Sequence, residues 1–341
     1  MKIIELLRSD DPRYKGSLWF FLGAYFFVLF NYPLIRAAST TLFFEDYGAK
    51  SSPLAWLWTV LFLSVSIVIF NRFQSRHSVQ RVFLWASILS TLLFGASAVG
   101  FLYKIKFLSF LSFIWKEIYI VLQVHLLLAY ANNYFKKEEF KLIVGPVGAA
   151  GSIGGIFGGL LTSYISQSYG TIYVAFFGLI FVLLPAILFL KTTNLRTVEE
   201  GKKTVSPLAS LDNKDIKQYV FYIALIVMLS QFIINIADFK FNINFEKTIG
   251  LARDRTAYLG WIYTWTNSLT FILQFVCLPL LIPRISEKSL HLFIPFSYMA
   301  CTIGLFFMSG SLLLPIAALY VYLKAADYSL FSAGKELLYQ P

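Results

Sequence analysis

Ten apolar runs of about membrane-crossing length divide this 341-residue chain, and no other feature so narrows what it can fold into. They lie near 17–34, 53–70, 82–102, 107–130, 142–165, 173–190, 219–237, 257–282, 290–307 and 311–323. In hydrocarbon each backbone N–H and C=O must find its partner inside the segment, so each run is read as an α-helix. Hydrophobic residues make up 58% of the chain and charged residues 14%, more apolar surface than a soluble domain of this length can hide from water. The expected protein is all-α and multi-pass, with the lipid bilayer as its solvent.

The formal net charge of +11 would suit a nucleic-acid binder, but its distribution points elsewhere. Twenty Lys and Arg residues fall in the connections that share a side with the N-terminus, and seven fall on the opposite side. That asymmetry predicts a cytoplasmic N-terminus in the cell (inner) membrane and an even number of spans, with no nucleic-acid partner. Residues 1–16 are polar, and the run after them lacks a small-residue cleavage pattern, so it is expected to stay as the first span. Cys277 and Cys301 lie inside separate runs, which suits apolar packing better than a disulfide or a metal. No cofactor is expected.

The chain echoes itself. Leu54-Ala55-Trp56-Leu57-Trp58-Thr59 and Leu259-Gly260-Trp261-Ile262-Tyr263-Thr264 each open an apolar run on either side of a polar stretch. A repeated membrane layout about a polar midpoint is the signature of a two-part carrier. The expected organisation is an N-terminal half over 1–190, a cytoplasmic linker over 191–217 and a C-terminal half over 218–341.

Polar groups inside the runs are the functional candidates, because a charge at the bilayer centre costs about 2.5 to 3.5 kcal/mol on insertion scales. Tyr32, Arg36 and Ser39 recur at helical spacing beside Pro33, at the end of the first run. Gln231, Asn235, Asp238 and Asn242 form a stripe from the seventh. If these two spans are counterparts, both stripes face one substrate chamber. The fourth run adds Lys116, Glu117, Gln123 and His125. Gly151, Gly155 and Gly159 repeat every four residues, predicting close approach of another helix on that one face.

The stretch from Ala326 through Asp327-Tyr328-Ser329-Leu330-Phe331 and Lys335-Glu336 to Tyr339-Gln340-Pro341 resembles a C-terminal element of the ATP/ADP translocases. Those are the nucleotide transporters of plastids and intracellular bacteria, distant relatives of the major facilitator superfamily. Leu34-Ile35-Arg36, Asn235-Ile236-Ala237-Asp238 and the passage from Asn133 to Gly159 are similar to further family elements. The resemblance implies a major-facilitator-like bundle of two pseudo-repeated halves, with ten of twelve spans present and the last two lacking. It implies nucleotide exchange or import, with Glu117, Asp238 and Lys335 matching charged positions of the family. Ser39 departs from it, since the family places a lysine there. Losing that cation favours a less charged nucleotide or another anion.

The substrate-site candidates are thus Arg36, Glu117, Asp238, Lys335, Tyr32, Ser39 and Asn235, binding a nucleotide or related anionic solute, with the carboxylates also able to couple a proton or cation. Two other classes compete. A membrane enzyme would need a reactive cluster such as His-Glu-x-x-His or Asp-x-Asp, and the sequence has neither. A carrier of another small solute, or a receptor-like derivative that binds without transport, fits the same residues.

Overall fold

The computed structural model describes residues 17–135, 137–192, 214–281, 287–308 and 313–331, and among the described residues all regular structure is helical. The helices are α1 (Ser17–Tyr47), α2 (Ser52–Gln74), α3 (Val79–Leu102), α4 (Lys106–Tyr134) and α5 (Lys137–Tyr169). They continue as α6 (Thr171–Leu190), α7 (Lys214–Thr248), α8 (Ala252–Ile272), α9 (Glu287–Phe307) and α10 (Leu313–Ala326). α8 runs on through a π-helical stretch, Leu273–Cys277, into Leu278–Leu281, and α10 ends in a second π-helical turn, Asp327–Phe331. Each apolar run of the sequence has become one of these ten rods. α1 to α7 each hold a stretch long and apolar enough to cross a membrane, and α9 contains a shorter apolar segment, Leu292–Phe307.

The main difference from the sequence reading is at the helix ends. The first run was expected to stop near residue 34, whereas α1 continues for more than three turns to Tyr47. Pro33 removes one backbone donor without breaking the helix, as membrane helices tolerate when neighbours hold them. Arg36, placed by the sequence at a helix end, therefore sits well inside one.

The chain forms two compact units. The first gathers α1 to α6 with the segment Phe245–Phe271. Its core lies where α1 packs on α4, α5 and α6: Phe21 stacks on Tyr130 at 6.0 Å, and Phe189 meets Tyr130 edge-on at 5.0 Å. α2 leaves Leu57, Val60 and Val68 exposed, an apolar outer face suited to acyl chains. The second unit gathers α7 as far as Asn244 and the chain from Ile272 onward. There Phe241 of α7 and Tyr320 of α10 stack face to face, 4.2 Å apart and within 4° of parallel.

Lipid tails are as apolar as leucine, so helices in a bilayer associate through close packing. The glycines of α5 provide it, on two faces where the sequence suggested one. Gly154 and Gly158 press on the α1 backbone at the carbonyls of Phe26 and Phe30, and Gly151 faces Tyr25. Gly155 and Gly159 instead face α8. A Cβ on Gly159 would stand 2.6 Å from the Gly260 carbonyl oxygen, and one on Gly260 would stand 2.7 Å from that of Gly159. The backbones touch, and neither can yield alone. Gly159→Ala is expected to destabilise the fold by about 1 to 3 kcal/mol, read as a lower melting temperature in detergent. Gly145→Ala, whose Cβ would meet nothing within 4 Å, is the control and should melt like the parent.

Candidate functional site

Arg36 projects from α1 and is 8% exposed, so its charge needs compensation. Its Nε lies 3.6 Å from Oε1 of Glu117 on α4. The guanidinium also lies 5.4 Å from the centre of the Tyr32 ring, one turn earlier, and 5.3 Å from that of Tyr263 on α8. A planar cation held near two aromatic rings and one carboxylate is strongly pre-oriented. Tyr32 donates its hydroxyl to Glu117 Oε2 at 3.0 Å, and Lys116 donates to Oε1 at 2.8 Å. Lys116 is only 2% exposed, with its ammonium 3.8 Å from the centre of the Phe113 ring. Arg36 and Lys116 both meet the Glu117 carboxylate, and an incoming anion can share or replace it.

Ser39, one turn further along α1, exchanges a 2.7 Å hydrogen bond with Ser112 of α4. Its hydroxyl ties the two helices together. Deeper in the contact, Asn31 donates to the Tyr119 hydroxyl at 3.2 Å. Tyr32, Arg36 and Ser39 thus link α1 to α4 from one face of α1.

The second unit contains a matching pair. Asp238 of α7 and Lys324 of α10 are each 8% exposed, and Lys324 Nζ lies 3.2 Å from Asp238 Oδ2. Tyr320 donates its hydroxyl to Oδ1 at 2.9 Å, with Asn242 at 3.4 Å from the same oxygen. The sequence reading missed Lys324, counting it among the cytoplasmic connections, because the tenth run ends at residue 323 by hydropathy. In the structure α10 and its π turn carry on to Phe331, which takes the lysine inside. The available signal was Tyr320, one helical turn before it.

Each of these charges lies well inside its own helix. Arg36 lies eleven residues before the end of α1 and Glu117 eleven residues after the start of α4. Asp238 lies ten residues before the end of α7, and Lys324 eleven residues after the start of α10. At 1.5 Å per residue each lies about 16 Å from one end of its own helix.

The remaining candidates are placed less centrally. Asn235 and Gln231 are exposed on α7, and Gln231 donates to Asp327 in the π turn of α10 at 3.3 Å. His125 is exposed on α4. Lys335 lies outside the described residues, with most of the C-terminal element that carried the resemblance.

A helical bundle that crosses the membrane many times and buries ion pairs between its helices has the build of a multi-pass carrier. Residues 21–334 match the sequence profile of the Major Facilitator Superfamily, and the chain belongs to that superfamily. Among solved structures it is similar to a bacterial homologue of the human lysosomal transporter Spinster, in an inward-facing and unoccupied conformation. That similarity has 13% identity and a TM-score of 0.49, over 97% of this chain and 79% of the other. A comparison with the curated proteins gives no match.

Proposed function

We propose that this transporter carries a small anionic solute, a nucleotide of low charge or a related anion, with Arg36 as the group that receives it. The observation that carries this reading is the buried Arg36 guanidinium between Tyr32 and Tyr263, balanced by Glu117. Guanidinium suits phosphate or carboxylate because its planar fork matches their oxygens two at a time. The solute would compete with Glu117 for Arg36, so an empty site is held together by its own ion pair. Lys116 keeps Glu117 compensated when Arg36 turns to the solute.

Ser39 favours the weaker anions over ATP or ADP. Its bond to Ser112 fills with neutral hydroxyls a position where the resembling translocases place a cation. Asp238, with Lys324 and Tyr320, would serve the second unit as a charge-balanced partner site or as the carboxylate that couples a proton or cation. Asn235 and Lys335 are further polar groups available to the solute. The moving bodies would be residues 1–190 and 218–341, joined by 191–217, with the N-terminus in the cytoplasm of a cell whose inner membrane holds the protein. Transport would follow from alternating access, without covalent chemistry.

Uptake into proteoliposomes tests this directly. A panel of radiolabelled nucleoside monophosphates, diphosphates, triphosphates, organic phosphates and dicarboxylates is offered with and without a proton gradient. Saturable accumulation of an anion of one or two charges, competed by its close analogues, is the expected result. Accumulation only of neutral or cationic solutes would overturn the reading, and binding without accumulation would indicate a receptor.

A further inference from the structure

Behind the site, on other faces of the same helices, a band of polar groups crosses the core of the first unit. Along α1, Asn31 falls between Val28 of one buried apolar cluster and Leu34 of another. Along α3, Ser87 and Ser90 fall between Ala86 and Ala98 of the same two clusters. α4 meets them with Trp115, Tyr119 and Gln123, which recur every four residues and so share one side of the helix. Asn31 and Gln123 are fully buried, and Tyr119 is 1% exposed.

The bonds inside the band account for only part of its polar atoms. Asn31 Nδ2 donates to the Tyr119 hydroxyl, Gln123 Nε2 donates to Ser87 Oγ at 2.8 Å, and Trp115 Nε1 donates to Ser90 Oγ at 3.0 Å. Both serines direct their own protons to carbonyls of the preceding turn, those of Phe83 and Ala86. Asn31 Oδ1 and Gln123 Oε1 are left with no partner among the described residues. Turning either amide over does not help. Asn31 would then leave its NH2 unpaired instead, and Gln123 would set its oxygen against a serine whose proton already goes elsewhere. Gly178 of α6 approaches Asn31 with carbon alone: a Cβ there would stand 3.6 Å from Oδ1. Two buried amides, each with one end open, are destabilising unless something small meets them.

We infer that this band is a binding site for water, held between α1, α3 and α4 by Asn31, Tyr119 and Gln123. The three head groups converge, because Tyr119 and Gln123 lie one turn apart on α4 and Asn31 bonds the first of them. Water donates to the two amide oxygens and accepts the Tyr119 proton, which the bond from Asn31 does not use. A buried water needs about two to four polar partners, and these side chains supply them. A metal cation fits less well. The oxygens on offer are all neutral, and Arg36 and Lys116 lie on the same two helices, so a further positive charge would be opposed in a medium of low dielectric. Those helices also present Arg36 to Glu117, so the bound water seats the pair that frames the anion site.

X-ray hydroxyl-radical footprinting of the whole protein in lipid nanodiscs tests the site without any knowledge of the solute. Radicals formed from bound water modify the side chains beside it, even where bulk solvent does not reach. Tyr119 should be modified several-fold faster than Phe43 and Phe189, which are buried as deeply, once each rate is corrected for the reactivity of the free amino acid. Asn31→Leu, which closes the site with carbon, should bring Tyr119 down to their rate. Where Asn31→Leu fails to fold, Gln123→Met carries the comparison, with slower modification of Tyr119 expected. A parental Tyr119 as slow as Phe43, or a fast one unchanged in every folded variant, would overturn the inference. So would a melting temperature that rises with sodium chloride but not with choline chloride and loses that difference in Gln123→Met, which would assign the band to a cation.

Discussion

Arg36→Ala is expected to reduce the initial uptake rate on the order of 100-fold while the protein still folds and reaches the membrane. The two halves of that expectation come from different contacts. Removing the guanidinium deletes the planar partner for an anion and empties the space beside Tyr32 and Tyr263. Losing one member of a buried charge-paired contact commonly costs about 2 to 5 kcal/mol in binding, which sets the scale. Stability suffers less, because Glu117 keeps Lys116 at 2.8 Å and the Tyr32 hydroxyl at 3.0 Å. Arg36→Lys retains the charge without the fork, and should fall between the two, about tenfold down. Uptake is measured per unit of protein in proteoliposomes, with thermal unfolding as the check on folding. Parental uptake by Arg36→Ala would remove the central group from the site and the proposed function with it.

The sequence made the ten rods legible because a membrane helix must be apolar along its length, and that requirement is written in one dimension. Arg36 and Glu117 were legible for the opposite reason, as charges where the bilayer tolerates few. Their pairing was hidden. Eighty-one residues separate them, and only the packing of α1 on α4 brings them together. Lys324 was hidden more deeply, since a basic residue at the edge of an apolar run is indistinguishable from a topology signal. What decides the matter is where the helix stops, and hydropathy fixes that poorly. α10 buries Lys324 because Asp238 and Tyr320 provide it with partners, a fact held by three residues on two helices. The glycines of α5 teach the same lesson. Their four-residue spacing marked close packing, but Gly159 meets α8 while Gly158, one residue earlier, meets α1.

Asp238→Asn and Lys324→Ala should each destabilise the protein strongly, and the paired neutralisation should separate stability from transport. In either single variant one ion remains buried with its partner gone, a loss of about 3 to 5 kcal/mol for such pairs. The melting temperature in detergent is expected to drop by about 10 °C, on the scale that relates free energy to melting for a chain of this size. Asp238→Asn/Lys324→Gln removes both charges and keeps groups able to hydrogen-bond with Tyr320 and Asn242, so most of that loss should be recovered. Transport should not recover. The burial of both charges against one another, inside helices of a membrane bundle, argues that they serve the passage of solute or of a coupling ion. A purely structural pair would behave otherwise, because charge is dispensable wherever only packing and hydrogen bonds are needed. Full uptake by the stable double variant would therefore assign Asp238 and Lys324 to the scaffold, leaving Arg36, Lys116 and Glu117 as the solute-binding charges.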